Sequence, residues 1–479
     1  MGARRYFGTD GIRGVANMPP MDPQFVLDLG RCLAFWVKSE ASKASDGNPK
    51  VLIGKDTRIS GYMLENALTA GLCSMGIDVL LVGPMPTPAV AHLTRSFAAD
   101  AGVMISASHN PAEDNGIKIF DSKGLKLTDS QELEIEKLLA KPLKSEGIIG
   151  SRIGRAKRID DARGRYIEFV KSSIQNSSLK GLDIALDCAN GAAYAIAADI
   201  FRELGAKVSV INDKPDGLNI NLQSGALYPE KVRDVVVGHY KNIGISLDGD
   251  ADRVIFVDDK GAIIDGDAVL FIISSWLKEN NKLNQDTIVA TIYSNKALDS
   301  LLIKKGICVK RVACGDRYVL ESILANGYSF GGESSGHLIF KEYSTTGDGI
   351  LAALQILHML KAKKMKLSEL VKPYTPFPQV LKNTAVSGKI PLDKLPKTTQ
   401  LIQKIEKELG KKGRVFVRYS GTENKVRILV EGTDQEEISW YAEKISCSVV
   451  EESASYASYD ASYTSCDISR KRSSKKRSR

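Results

Sequence analysis

Short apolar runs recur along this chain, and each ends in a loop dense with polar side chains. The run Ala101-Gly102-Val103-Met104-Ile105 is too short for a globular helix and is bounded by turn formers, so it predicts a buried strand. It stops at Ser106-Ala107-Ser108-His109-Asn110-Pro111 and continues through Ala112-Glu113-Asp114-Asn115-Gly116-Ile117-Lys118. A serine delivered to the carboxyl end of a strand, in a polar loop closed by Pro and Gly, is held rigidly enough to act as a nucleophile. A Ser/Asn-capped turn is the plain alternative for this stretch taken alone.

The pattern occurs three times. A short apolar strand with a polar loop is followed by a helix-like stretch, a second strand, another helix-like stretch and a third strand with a loaded loop. The first strands start at Val51, Ile184 and Ile288; the second run near 78–82, 207–211 and 308–312; the third end at Ser106, Leu247 and Phe330. Such alternation predicts α/β units with mixed or parallel sheets and sites at the carboxyl ends of the strands. A fourth segment breaks the pattern: Val415–Tyr419, a loop from Ser420 to Asn424, and Lys425–Val430 read as strand, loop, strand of a smaller α+β domain.

The loops differ in chemistry. Asp248, Asp250 and Asp252, at spacing two, crowd three carboxylates on one side of an extended loop, which a hard divalent cation would neutralise; Mg²⁺ is the usual choice beside phosphate. Arg253 stands where a calcium-binding EF-hand loop needs Gly, and Asp259 where it needs Glu, so a calcium loop is disfavoured. Arg253 is suited instead to gripping phosphate. Arg418, Ser420, Gly421, Thr422 and Arg427 offer guanidinium, hydroxyl and backbone N–H groups that suit a phosphate, though an ordinary turn with surface arginines fits the same residues. Glu333, Ser335 and His337 alternate on one face of a loop, as wanted for sugar hydroxyls or an amine. Lys55, Asp56 and Arg58 fit either support of the serine loop or a strand-end ion pair. The chain has no Walker A sequence, no GxGxxG and no GxSxG, so nucleotide cosubstrates and a serine-hydrolase elbow are not indicated.

Composition narrows the class. At 479 residues the chain exceeds one core, and 43% hydrophobic with 26% charged residues is ordinary for a soluble protein. No apolar run reaches the roughly 18–20 residues of a membrane span, and Met1–Phe7 lacks a signal-peptide core, so a cytoplasmic location is expected. Seven dispersed cysteines without CxxC spacing fit reduced thiols rather than zinc. The net charge is +9, and residues 453–479 contribute +5 of it. That tail, rich in Ser, Tyr and Ala before it turns basic, predicts disorder, with weak polyanion contact as its candidate role and no specific nucleic-acid groove elsewhere.

Taken in order, the serine loop, tri-aspartate loop, Glu/Ser/His loop and terminal phosphate loop resemble the α-D-phosphohexomutase superfamily, in its bacterial phosphoglucosamine mutase branch. Phe7-Gly8-Thr9-Asp10-Gly11-Ile12-Arg13-Gly14, the form ISASHNP and Gly315-Asp316-Arg317-Tyr318-Val319 are similar to that branch, and the resemblance spans residue 4 to about 450. Ser334 stands where the branch usually has Gln, and Tyr419 and Asn424 depart from the commoner RPSGTEP form. The resemblance implies a four-domain heart-shaped α/β fold, with domains at 1–152, 153–254, 255–371 and 372–452; the tail at 453–479 has no counterpart in the family pattern. It implies Ser108 as the phosphorylated serine, and Ser108, Asp248, Asp250 and Asp252 around one Mg²⁺ per subunit. Arg13, His109, Lys118 and Arg253 would line the reacting phosphoryl group. Glu333, Ser335, His337 and Arg317 would contact the sugar, and Arg418, Ser420, Gly421, Thr422 and Arg427 the remote phosphate.

The implied activity interconverts glucosamine 6-phosphate and glucosamine 1-phosphate through a phosphoserine enzyme and a hexose bisphosphate, supplying amino sugar for UDP-N-acetylglucosamine and cell-wall synthesis. The partner is a small sugar phosphate; no membrane partner is expected, and a homodimer is left open. A phosphomannomutase or phosphoglucomutase of the same superfamily is the alternative. More remotely, Asp250-Ala251-Asp252-Arg253-Val254 matches the DxDx[TV] pattern of aspartyl-phosphate phosphatases, which would make Asp250 the nucleophile.

Overall fold

The computed structural model describes residues 4–40, 48–140, 148–386, 388–419 and 424–474, with 456–474 as backbone only. The chain forms two compact units: residues 1–294 with 305–374, and residues 295–304 with 375–479.

The first unit holds three mixed sheets that repeat one topology. In the first sheet, the parallel strands Asp78–Pro84, Lys50–Lys55 and Ala101–Ile105 lie side by side in that order, and Asp114–Asp121 returns antiparallel against Ala101–Ile105. The second sheet repeats this with Lys207–Ile211, Asp183–Asp187, Ile243–Leu247 and the returning Val254–Val257. The third repeats it with Cys308–Val312, Thr287–Thr291, Phe330–Gly332 and the returning Leu338–Phe340. The third-position strands Ala101–Ile105 and Ile243–Leu247 are buried at every residue, which is why the first reads as an unbroken apolar run and the second is interrupted by Ser246 alone.

The sequence expectation of three α/β repeats therefore holds strand by strand. Phe330 opens its strand rather than closing it. Ala156–Arg158, beyond the expected boundary at 152, pairs with Asp78–Pro84 and completes the first sheet, while Val254–Val257 and Ile263–Ile264 complete the second across the expected boundary at 254. Phe7–Gly8 and Gly11–Val15 extend the other edge of the first sheet, with Arg13 paired to Gly116 beside the serine loop.

The second unit carries a three-stranded antiparallel sheet, ordered Gln379–Ala385, Lys425–Glu431, Arg414–Tyr419, packed on the helices Pro396–Leu409 and Gln435–Ser474. Its core includes Val426, Ile428, Val430, Ile438, Ile445 and Val449. The long helix runs on through residues 453–474 of the segment expected to be disordered. Nothing between Gln435 and Ser474 is Gly or Pro, and once a helix is nucleated by its packed half, extension carries no further nucleation cost. Residues 475–479 lie outside the described residues. Among the described residues no helix is long and apolar enough to cross a membrane.

Candidate active site

The turn after Lys50–Lys55 carries Asp56 and Arg58, both with no exposed surface. Charge buried so deeply must be paired. Arg58 Nε donates to Asp56 Oδ2 at 2.9 Å, while its Nη nitrogens donate to the carbonyls of Ser108, Asn110, Pro111 and Asp114 in the serine loop. Asp56 Oδ2 also accepts from Ser106 Oγ at 2.6 Å, and Ser106 Oγ accepts from the Ser108 N–H at 2.9 Å. Both readings of Asp56 and Arg58 thus apply: they are an ion pair, and the pair supports the loop. Lys55 turns away to Glu65 and the face of Tyr62.

Ser108 sits in a left-handed conformation, φ +53°, 1% exposed, and its Oγ donates to Asp248 Oδ2 at 2.7 Å. His109 Nδ1 lies 3.4 Å from the same Oγ. Burial, and then the cations Arg253 and Arg13, lower the His109 pKa to about 4, so the ring is neutral at physiological pH.

Asp248, Asp250 and Asp252 are buried, with one oxygen of each within 4.8 Å of the others. Burial first, then Asp252 and Asp250, push the Asp248 carboxyl well above its usual range. Asp252 is held well below it: burial pushes upward, but Lys118 and then His337 outweigh that. Asp250 Oδ2 accepts from Thr87 Oγ1 at 2.6 Å and from Lys118 Nζ at 2.8 Å. Asp250 Oδ1 and Asp252 Oδ1 are buried without a protein hydrogen-bond partner. Two orphaned carboxylate oxygens in an all-oxygen cluster fit a hard divalent cation.

Lys118, 1% exposed, reaches Asp250, Asp252 at 3.3 Å and Asp10 at 3.2 Å. Burial alone would lower its pKa, but those three carboxylates raise it well above the ordinary value, so it stands as a fixed cation. Asp10 also pairs with Arg13 and Lys126, and Lys126 with Asp316. His337 lies between Asp252 (3.7 Å) and Asp316 (3.3 Å); burial lowers its pKa, and Asp316 and Asp252 overcome that and raise it. Glu333 Oε1 accepts from the Gly315 N–H at 3.1 Å, and Ser335 Oγ donates to Glu333 Oε2 at 3.4 Å.

Above this floor opens a cavity of about 420 Å³, lined by Arg13, His109, Asp252, Arg253, Glu333 and His337 together with Asp10, Cys314, Gly315 and Asp316. Ten expected residues thus converge: these six, and Ser108, Lys118, Asp248 and Asp250 bonded around them. The remaining positions fare differently. Arg317, expected on the sugar, is buried against Glu132, Asp129 and the Leu127 carbonyl, because on the helix Asp316–Asn326 it projects about 100° around the axis from Asp316. Arg418 and Arg427 lie in the second unit as direct cross-strand partners. Ser420, Gly421 and Thr422 lie outside the described residues.

Sequence reading passed over Asp10, Thr87, Lys126, Asp316 and Asn221. Asp10 and Asp316 lie inside quoted motifs, which was their signal; Thr87, Lys126 and Asn221 carry none, since their roles arise only from contacts more than 110 positions along the chain.

Comparison with known proteins gives the family of the chain. Models of phosphoglucomutase/phosphomannomutase match in four stretches: alpha/beta/alpha domain I over 4–146, domain II over 164–261, domain III over 265–377, and the C-terminal domain over 380–446. A phosphoglucosamine mutase of Anaeromyxobacter sp. (strain Fw109-5) is 51% identical over 453 residues, covering 93% of this chain and 95% of its own. One from Sorangium cellulosum (strain So ce56) is 51% identical, covering 92% of each. The fold is shared with a phosphoglucomutase/phosphomannomutase family protein from Burkholderia thailandensis, at TM-score 0.74 and 22% identity over 93% of this chain and 97% of that one. With four domain models in order and half-identical relatives over nearly its whole length, the chain belongs to the phosphoglucomutase/phosphomannomutase family, among the phosphoglucosamine mutases.

Proposed function

We propose that this enzyme interconverts glucosamine 6-phosphate and glucosamine 1-phosphate, with Ser108 as the phosphoryl carrier. The observation that carries the reading is Ser108 Oγ, fixed against Asp248 at the floor of a cleft lined by Arg13, His109 and Arg253, in a chain half identical to phosphoglucosamine mutases. Phosphoryl transfer asks a protein mainly for positioning and charge stabilisation. A phosphoserine carries about −1.5 to −2 charge, and Lys118, Arg13 and Arg253 are the cations at hand.

Asp248, Asp250 and Asp252 would hold Mg²⁺, whose chemistry there is to neutralise charge on the transferring group. In the forward direction the P–O bond to Ser108 Oγ breaks as the sugar 1-oxygen bonds to phosphorus, and the proton that the 1-hydroxyl gives up is balanced by the one that Ser108 Oγ takes up to become a hydroxyl. The resulting bisphosphate turns over in the cleft, and its 6-phosphoryl group returns to Ser108, releasing glucosamine 1-phosphate. Glu333 and His337 face the sugar. Arg418 and Arg427, with Ser420, Gly421 and Thr422, are read as the seat of the non-reacting phosphate. On this reading the enzyme works in the cytoplasm on a small sugar phosphate, with a hexose bisphosphate as activator, and the basic C-terminal segment is a candidate for weak polyanion contact.

The test compares turnover of glucosamine, glucose and mannose phosphates with Mg²⁺ and a catalytic amount of hexose bisphosphate. The reading expects the highest kcat/KM for glucosamine 6-phosphate; a preference for mannose or glucose phosphate would overturn the sugar assignment. An acid-stable phosphate on serine is expected, whereas a hydroxylamine-labile acyl phosphate would move the nucleophile to Asp250.

A further inference from the structure

We propose that Asn221, which reaches the serine loop from the second sheet's side of the first unit, is a positioning residue for Ser108. This rests on Ser108 being the phosphoryl carrier.

Two carbonyls of the serine loop are each held twice. The Ser108 carbonyl accepts from Arg58 Nη2 at 3.0 Å and from Asn221 Nδ2 at 2.9 Å; the Asn110 carbonyl accepts from Arg58 Nη2 at 2.8 Å and from Asn221 Nδ2 at 3.0 Å. Each of those nitrogens carries two hydrogens and each oxygen two lone pairs, so four bonds use every hydrogen and every lone pair in the box. Arg58 has no exposed surface and Asn221 is 7% exposed, so water does not compete for these groups.

The clamp acts on a residue that needs one. A non-glycine residue in the left-handed region, such as Ser108, persists where its surroundings over-determine it. Fixing the Ser108 carbonyl group fixes φ at that residue, and a change of φ would carry Cβ and Oγ away from Asp248. Arg58 holds that carbonyl from the strand that neighbours the loop, whereas Asn221 holds it from the lobe that carries Asp248, Asp250 and Asp252. Asn221 is itself fixed, its N–H donating to the Ala189 carbonyl at 2.9 Å. The metal loop runs along the same box: a Cβ at Gly249 would meet the Ser108 oxygen at 2.6 Å and Asn221 Nδ2 at 2.7 Å. The amide of Asn221 thereby places the phosphoryl carrier and the carboxylate cluster in one frame.

Asn221 is in the left-handed region, φ +57°, so the test uses replacements that tolerate it. N221G deletes the amide. N221D keeps the shape but sets an oxygen against two carbonyl oxygens. For both we expect kcat to fall at least tenfold with KM for glucosamine 6-phosphate within twofold, and N221D to lose at least as much as N221G. A side chain that merely fills space predicts the reverse order, with N221D near wild type, and that result, unchanged kcat in both variants, or a loss confined to KM would overturn the proposal. Thermal melts identify folded protein; if N221D does not fold, N221G alone decides. Peptide mapping of wild-type enzyme for phosphate on Ser108 tests the underlying reading separately. Phosphoserine present with wild-type turnover in the variants refutes the clamp alone, and its absence refutes the carrier assignment.

Discussion

Ser108 Oγ and Asp248 Oδ2 lie 2.7 Å apart although 140 positions separate them in the chain. The contact joins the serine loop to the aspartate loop, each at the carboxyl end of the third strand of its own sheet. Replacing Ser108 with Ala removes the carrier oxygen and one small polar group. Ser108→Ala should abolish interconversion while the melting temperature stays within a few degrees of wild type. Turnover near wild type with added bisphosphate would refute the carrier role.

Asp250 shares its two oxygens between protein and the open site: Oδ2 takes Thr87 and Lys118, and Oδ1 has no protein partner. Asp250→Asn removes one of three negative charges from the cluster and should cost several orders of magnitude in rate, with the activating Mg²⁺ concentration shifted upward. Titration of Mg²⁺ by calorimetry and by activity checks it; an unchanged metal dependence would show the aspartates to be structural.

Arg317 separates the sequence expectation from the structure. Its guanidinium is bound to Glu132, Asp129 and the Leu127 carbonyl. Arg317→Met should therefore lower stability by about 2–3 kcal/mol, below the usual cost of breaking a buried pair because Arg4 still reaches Glu132. KM for the sugar phosphate should be little changed. Denaturant unfolding and steady-state kinetics on one preparation decide the matter, and a raised KM at unchanged stability would restore the sugar-contact role.

Asp348 caps the helix Gly349–Lys363, accepting from the Leu351 N–H at 2.9 Å and from the Tyr166 hydroxyl. Burial raises its pKa from 3.8 to about 6, against the opposing hydrogen bonds. The folded state therefore binds this proton more tightly than the unfolded chain. Its stabilising contribution is full below pH 3.8 and is lost as pH rises through about 6, by about 3 kcal/mol in all. Asn is an equally good cap and does not titrate. The stability of wild type relative to Asp348→Asn should fall between pH 4 and pH 7; parallel unfolding curves across that range would refute it.

Much of the fold was legible because short, fully buried strands leave a local signature. Val51–Ile53, Ile243–Leu247 and Ile288–Ala290 are short stretches dominated by apolar residues and followed by polar loops, and a period of three such strands survives in the linear chain. The returning antiparallel strands were less visible: Asp114–Asp121 carries Asp, Asn, Lys and Gly among its apolar positions, and its pairing depends on a partner outside its own sequence. The length of the final helix is not legible locally, because its outer half lacks an apolar stripe and the absence of helix breakers counts only once the packed half has formed.

By itself the sequence determined the repeated α/β units, the three loaded loops and the residue types able to carry phosphate and a divalent cation, because strand burial and loop chemistry are written in neighbouring positions. Tertiary structure alone decided which of those residues meet. It brought Ser108 to Asp248 and turned Arg317 away, recruited Thr87 to Asp250, and set Asn221 opposite Arg58 across the serine loop. Hydrogen bonds between such distant positions are fixed by how the sheets pack and how each helix is rotated, and neither quantity is encoded in the spacing of residues along one strand or loop.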